Sequence, residues 1–413
     1  MAIDGNEIAR RLRQARDEAG INQQQAADAI GVHRTSITQM EAGNRAVSTL
    51  ELTRLANLYG QTVTWFLLEK NPEEEDVIAA LHRAVPGLEN APESKRQINR
   101  SVALCREGVS LEGVLGHPPR KGPPTYSEPL PSTPWDAIAQ GQRVAEGERR
   151  RLDLGARPIT DLVNLIAEQG IWACGADLPD KMSGLFLHHT SIGLVILVNN
   201  SHARARRRFS YAHEYAHALL DRDRPVTVTS ADNAAELIEK RANAFASAFL
   251  LPREGVIEVL AALDKGQPSR ADETVFDAAT GGHFDAQSRQ VPRSQRITYQ
   301  DAATLAHRFG VSYQAAVYRL LSLRHIVRSE SDELLKREAV GKDFLEVLGM
   351  FEDLEGKEGK LLMDRELRSQ VTRLAIEAYR REEISRGRLL DLGKQLGIPG
   401  PKLVALAEAA RSE

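Results

Sequence analysis

Residues 209–220 read FSYAHEYAHALL, and their spacing decides how the middle of the chain folds. His213 and His217 stand four residues apart, so a helix projects both imidazoles from one face on successive turns. A pair so placed can grip one metal ion. Glu214, next to the first histidine, can reach a water on that metal without being a ligand. The metal makes the water acidic, and the carboxylate takes its proton during attack on a peptide carbonyl. Phe209, Ala212, Ala216 and Leu219-Leu220 give the helix an apolar side. The pattern His-Glu-x-x-His is short, and a surface helix with two histidines would also show it, so the flanks decide.

Downstream, residues 233–251 read NAAELIEKRANAFASAFLL, a helix with the apolar stripe Ile238, Ala242, Phe245 and Phe249. At about 100° per residue, Glu239 lies beside that stripe, roughly 70° from its centre, while Glu236 and Lys240 point farther out. A carboxylate bordering a buried face needs a partner, and a metal is one. Glu239 is therefore the expected third ligand, with Glu236 as second choice and a solvated helix carboxylate as the bland reading. Two histidines and a glutamate leave a fourth position open to water. They accept zinc, and also manganese or iron.

Upstream, residues 184–199 read GLFLHHTSIGLVILVN, two apolar runs around a turn near Ser191-Ile192-Gly193, which is the strongest strand signal in the chain. Residues 135–180 and 205–251 read as helices, and 297–413 as mostly helical. Arg204, Arg206, Arg207 and Arg208 read as a solvated helix entry, with contact to an acidic substrate or partner as the alternative. His188, His189, His202 and His283 are candidates for transition-state stabilisation, with an ordinary histidine as the preferred reading of each.

With these segments in place, residues from about 135 to 325 resemble the ImmA/IrrE family of metallopeptidases. The resemblance is carried by LVNN (197–200), RRRFSYAHEYAHALLDR (206–222), EKRANAFASAFLLP (239–252) and LAHRFGVSYQAAVYRL (305–320). It implies a zincin-like, gluzincin-type α+β domain with a small sheet. It implies His213, His217 and Glu239 as zinc ligands, Glu214 as catalytic base, and a repressor or immunity protein as substrate. In such folds the substrate pairs with an edge strand beside the metal. Leu185–His189 or Leu194–Val198 is the candidate for that role; either reads equally as a plain core strand, and the more apolar Leu194–Val198 is taken as one. The chain departs from the family where many relatives carry a smaller Leu-Gly pair and it has Tyr215-Ala216. A ring there is expected to narrow the cleft.

A second constellation occupies residues 8–59. Ile8, Leu12, Ala15 and Ala19 keep helical spacing up to Gly20. Asn22 is a good N-cap for a helix over Gln23–Ile30, and Gly31 supplies a tight turn. A third helix runs from about Arg34 to Ala42 with Val32, Ile37 and Met40 inward, and Leu50, Leu52, Leu55 and Leu58 close the bundle. The residues Gln23, Ala27, Gly31-Val32, Ile37, Glu41 and Gly43 make this stretch similar to the XRE family of helix-turn-helix domains. The resemblance implies a five-helix bundle that puts its third helix into the major groove of double-stranded operator DNA. His33, Arg34, Thr35, Thr38 and Gln39 would face base edges, and Gln23, Asn44 and Arg45 would contact phosphates. The competing reading is a helical bundle used for protein contacts: residues 1–70 carry eight basic against eight acidic side chains, and the positive ones cluster at Arg10, Arg11, Arg13 and Arg16.

The expected fold is mainly α within α+β. The domains are a helix-turn-helix domain (1–69), a helical connector (70–115), a Pro-rich linker (116–134), the peptidase-like domain (135–325) and a helical C-terminal region (326–413). The linker, GHPPRKGPPTYSEPLPSTP, holds seven of the chain's 18 prolines, each of which lacks an N–H and has a fixed φ. Residues 267–295 are polar without periodicity, which suggests a lid or disorder. Residues 300–320 resemble a second helix-turn-helix, expected to pack beside the peptidase core, with a second DNA reader as the alternative.

Among 413 residues, 42% are hydrophobic and 27% charged, ordinary globular values that exclude wholesale disorder. The net charge of −3 excludes a general polyanion binder, so any nucleic-acid contact is local. Cys105 and Cys174 lie far apart, which argues against a disulfide framework and for a reducing cytoplasm. No apolar run is long enough for a membrane span, and the charged N-terminus does not read as a secretory signal.

The function expected is a DNA-binding regulator with a zinc endopeptidase that cuts a regulatory protein such as a repressor. The alternatives are a transcription factor with a structural or sensory metal, and an antitoxin that represses its operon and masks a toxin. A homodimer is expected from the two-fold symmetry of operators.

Overall fold

The computed structural model describes residues 5–59, 61, 63–67, 91–224, 226–230, 232–266, 270–277, 282–289, 294–355 and 365–411. Side chains of Glu18, Thr64, Trp65, Asp353 and Glu355, and those of 270–277 and 282–289, are outside the description. The chain divides into two compact units, Met1–Ile78 and Ala79–Glu413.

Among the described residues the first unit is the expected five-helix bundle: α1 (Gly5–Glu18), α2 (Gln23–Ile30), α3 (Arg34–Glu41), α4 (Thr49–Leu58) and α5 (Val63–Leu67). The Asn22 side chain accepts from the Gln25 N–H, and the Gln25 side chain accepts from the Asn22 N–H, so two orphan donors of α2 are satisfied. Gly31 ends α2 at φ +77°, a left-handed conformation that suits glycine. Leu12, Ala26, Ile30, Ile37, Met40, Leu55 and Phe66 form the core. Leu50 does not join it. It is 62% exposed, because the inward stripe of α4 is set by Leu52, Leu55 and Ala56.

The second unit holds a four-stranded sheet in the order β1-β3-β2-β4, with β1 (Ile171–Ala176), β2 (Met182–His189), β3 (Gly193–Asn199) and β4 (Val226–Ser230). β1 runs parallel to β3, and β2 runs antiparallel to both β3 and β4. The hairpin β2–β3 is the one the sequence foretold. β1 was expected to be helical, but it is a strand whose six residues are all buried, which erases the alternation that marks a strand. β4 was likewise absorbed into a helical reading.

Helices α6 (Pro92–Val114), α7 (Pro134–Arg151) and α8 (Leu162–Glu168) precede or flank the start of the sheet. Helix α9 (Arg204–Leu220) carries the His-Glu-x-x-His motif and packs on β2 and β3. Helix α10 (Leu237–Leu250) packs between α7 and α9. After α11 (Arg253–Ala262), the stretch expected to be a lid or disordered contains two antiparallel strands, β5 (Arg270–Asp277) and β6 (Gly282–Arg289).

Helices α12 (Tyr299–Phe309), α13 (Tyr313–Ser322), α14 (Arg328–Lys336) and α15 (Glu338–Val347) extend the same core, followed by the short α16 (Glu352–Glu355). The C-terminal helices are α17 (Arg365–Arg380), α18 (Arg386–Leu396) and α19 (Gly400–Ala409). α17 and α6 pack on one another and on β1, where Gly108 of α6 makes room for the Trp172 ring.

The Pro-rich run has neither helix nor strand over 117–133, as its prolines dictate. It is no free linker, however. The helices on both of its sides belong to one compact unit, and the Tyr126 N–H donates to the Leu219 carbonyl at 2.9 Å.

Candidate metal centre and nucleic-acid interface

α9 and α10 bring His213, His217 and Glu239 together, all buried, with one potential ligand atom of each within 4.8 Å of the others. His213 Nε2 lies 3.2 Å from His217 Nε2 and 3.1 Å from Glu239 Oε2, and His217 Nε2 lies 3.6 Å from Glu239 Oε1. Atoms about 2.05 Å from a tetrahedral zinc stand about 3.3 Å apart, so these spacings fit such an ion.

The proton inventory points the same way. His213 Nδ1 donates to Asn243 Oδ1 at 2.9 Å, and His217 Nδ1 donates to Asp221 Oδ2 at 2.9 Å. A ring that donates from Nδ1 keeps, in its neutral form, a lone pair on Nε2, and both Nε2 atoms face one another and the Glu239 carboxylate. Burial pulls the His217 pKa down, but the bond to Asp221 and the charges of Glu214, Glu239 and Asp221 outweigh it and leave it raised. The pocket therefore asks for positive charge, which a proton or a metal supplies. Glu236, the second choice for a ligand, is not part of this cluster; it precedes α10 as its N-cap.

Glu214 is completely buried, and neither carboxylate oxygen meets a donor at hydrogen-bonding geometry among the described residues. Burial pushes its pKa up; His217 and His213 pull it back, and nearby Thr229 lowers it slightly. It fits because β2 has glycine opposite. A Cβ on Gly184 would stand 2.3 Å from Glu214 Oε1. The pairing of β2 with β4 also shifts register between Met182 and Gly184. Beside the cluster is a cleft of about 480 Å³, lined by Met182, Val226, Val228, Asn233, Ile238 and Glu239 among others.

Several expectations change here. Leu185–His189 cannot be the edge, since β2 lies between β3 and β4; the outer strand that lines the cleft is β4. Tyr215 does not narrow the cleft. Its ring is buried against Phe245 and Phe249, and its hydroxyl donates to the Glu148 carboxylate. The arginine run is not a solvated entry throughout: Arg207 is buried, and Arg208 donates to the carbonyls of Gly310, Ile159 and Thr160. His188 Nδ1 meets the Arg222 carbonyl and His189 Nδ1 meets Ser191 Oγ, while the His283 side chain lies outside the described residues. Sequence reading missed Asp221 and Asn243. Both carried a signal, since each stands four residues after a ligand on a helical face.

In the first unit, His33, Arg34, Thr35, Thr38 and Gln39 are exposed on or just before α3, and Asn44 and Arg45 are exposed after it. Gln23 is half-buried and already engaged: it donates to Glu41 Oε2 at 2.9 Å and accepts from the Thr38 hydroxyl at 3.1 Å. Glu41 also accepts from Arg16 Nε at 2.6 Å, and this bond raises the Arg16 pKa. The arginine cluster of α1 is largely spent on internal pairs. Arg10 and Arg11 meet Glu7, Arg16 meets Glu41, and Arg13 alone of the four is mostly exposed.

Comparison with known families agrees with both constellations. Residues 12–66 match a family described as helix-turn-helix, and residues 166–271 match a peptidase family described as the IrrE N-terminal-like domain. The chain thus joins a DNA-binding helix-turn-helix domain to a peptidase-family domain. No curated protein matches it. A solved structure titled "Crystal Structure of ComR from Streptococcus suis" aligns with 99% of this chain and 97% of its own at 10% identity and a TM-score of 0.15, too slight a likeness to carry an argument. No described helix is long and apolar enough to cross a membrane.

Proposed function

We propose that this DNA-binding regulator is also a metal-dependent endopeptidase that cuts a regulatory protein such as a repressor. The observation that carries the reading is the convergence of the His213 and His217 Nε2 atoms and the Glu239 carboxylate next to the fully buried Glu214. His213, His217 and Glu239 would hold the ion. A divalent cation bound there would supply Lewis acidity to a peptide carbonyl and make a water more acidic. Glu214 takes the proton of the attacking water and returns it to the departing amine nitrogen. Burial raises its pKa, which makes it a stronger base than a solvated carboxylate. β4, as an outer strand lining the cleft, offers backbone groups to an extended peptide. The donor set accepts zinc first and manganese or iron as alternatives.

The first unit would dock on an operator. Arg34, Thr35 and Gln39 reach base edges, Thr38 does so while held by Gln23, and Asn44 and Arg45 meet phosphates. His33, exposed at the N-cap of α3 with no side-chain capping bond, is free to point outward. The symmetry of operators makes a homodimer the expected form.

The test is metal content per chain by plasma mass spectrometry, followed by cleavage of candidate repressors. The expected result is one zinc per chain, lost in His213→Ala. Glu214→Gln should retain zinc and operator binding while its cleavage rate falls by at least about 100-fold. Cleavage that persists in Glu214→Gln overturns the mechanism. A wild-type protein that takes up no metal leaves a non-catalytic regulator or an antitoxin in its place.

A further inference from the structure

A buried hydrogen-bonded series runs from His217 to the backbone of the Pro-rich segment. Asp221, whose Oδ2 holds His217 Nδ1, accepts from Arg241 Nη2 on its other oxygen at 2.6 Å. Arg241 Nη1 donates to Gln140 Oε1 at 3.3 Å, and Gln140 Nε2 donates to the Pro129 carbonyl at 3.1 Å. Asp221, Arg241 and Gln140 are all at most 5% exposed. In so dry a setting a lost partner leaves a buried charge or dipole unpaired, so the members hold one another's geometry.

A second connection joins the same two elements. Tyr126 of the Pro-rich segment and Tyr215 of the metal motif both donate their hydroxyls to Glu148. The Tyr126 N–H bonds the Leu219 carbonyl, and Arg222 Nη2 donates to the Pro123 carbonyl. The segment therefore sits along the C-terminal end of α9 at Pro123 and Tyr126, and at Pro129 it is held by Gln140 of α7. Its prolines make it stiff, so movement at one point is passed to the next.

We propose that residues 117–133 are a working part of the metal centre. Gln140 and Arg241 are positioning residues: they fix Asp221, which fixes the His217 ring. Seating of the segment and loading of the metal then favour each other. The coupling is reciprocal, because whatever orients His217 for the ion is itself held more firmly once the ion is bound. The proposal rests on the metal reading above.

The test uses the full chain and zinc alone. Gln140→Leu keeps the shape and removes both bonds. Zinc affinity is measured by competition with a chelating dye, and backbone exchange of the Tyr126 amide by hydrogen–deuterium exchange with and without zinc. Zinc is expected to slow that exchange by about fivefold in the wild type. In Gln140→Leu the affinity falls roughly tenfold and zinc no longer slows the exchange. Tyr126→Phe, which loses a single hydroxyl, serves if Gln140→Leu does not fold, and it should show the same two changes to a smaller degree. Zinc bound as tightly by a folded variant as by the wild type, or an exchange rate that zinc leaves unchanged in the wild type, overturns the proposal while the metal reading stands. No zinc uptake by the wild type overturns both.

Discussion

Two pairs of helices in this chain share one sequence pattern and differ in what they leave uncovered. IGVHRTSITQME (30–41) spans the turn from α2 into α3, and FGVSYQAAVYRL (309–320) spans the turn from α12 into α13. The turns match closely. Gly31 and Gly310 have φ of +77° and +64°, and the N–H groups of Val32 and Val311 each return to a carbonyl five residues back at 3.0 Å. The second helices then part company. Arg34 and Thr38 are exposed, whereas Tyr313 and Val317, in the same places, are buried. α15 covers Tyr313: Gly341 lies so close to its ring that a Cβ there would stand 2.6 Å from it. α14 accepts the Tyr313 hydroxyl at the Leu334 carbonyl. A helix-turn-helix is thus a packing solution first, and it can read DNA only where nothing else has claimed the outer face of its second helix.

The largest effect that could break this contrast lies in the covered pair. Phe309 is 2% exposed, and its ring lies 2.8 Å from where a Cβ on Gly255 would be. Phe309→Ala should cost about 3–5 kcal/mol of stability, read as a lowered urea midpoint of the second unit. A cost under about 1 kcal/mol would mean that this pair is not part of the core, and the contrast would fail.

An intermediate effect sharpens the open pair. Arg34→Ala and Gln39→Ala should each leave stability within about 0.5 kcal/mol of the wild type, since both side chains are exposed. Each should weaken operator binding by about 1–3 kcal/mol, measured by fluorescence anisotropy at fixed salt. On α13 the exposed residues in the places of Thr35 and Gln39 are Gln314 and Tyr318, and Gln314→Ala and Tyr318→Ala should leave operator binding unchanged. A comparable loss from either α13 variant would make α13 a second reader.

These differences show what was legible in the sequence. His213, His217 and Glu239 could be found because helical spacing alone puts them on facing stripes, and Asp221 and Asn243 could have been found by the same rule. β4, read as helix, offered the β-branched run Val226-Thr227-Val228-Thr229. β1 offered nothing, because a strand buried on both faces has no alternation to read. The use of Gly184 and the burial of Tyr313 were out of reach, since each depends on how closely an element distant in sequence approaches. The seating of the Pro-rich run was hidden for the same reason. Its prolines say that it is extended, and only α9 says where it lies.

The smallest effect concerns how the open pair keeps its flanking loop in place. Arg45, expected at a phosphate, pairs with Glu51 at 2.7 Å, and Glu51 also caps α4 through the Ser48 N–H at 3.0 Å. The bond from the Ser48 backbone holds the Glu51 carboxyl below the usual value of 4.5; slight burial opposes it, and the Ser48 hydroxyl and Arg45 add to it. A carboxylate depressed on folding contributes stability above its unfolded pKa and loses it as pH falls through the folded one. The pair is partly solvated, so the contribution is about 0.5 kcal/mol. Glu51→Gln should therefore lower the urea midpoint of the first unit slightly at neutral pH and equal the wild type once pH falls below the folded-state pKa. The same variant frees Arg45 from its partner. If Arg45 serves DNA, operator binding by Glu51→Gln at neutral pH should be at least as tight as the wild type's. A weaker complex would mean that the ion pair aims Arg45 at the phosphate, so that the face left open by packing is nevertheless held in shape by its own charges.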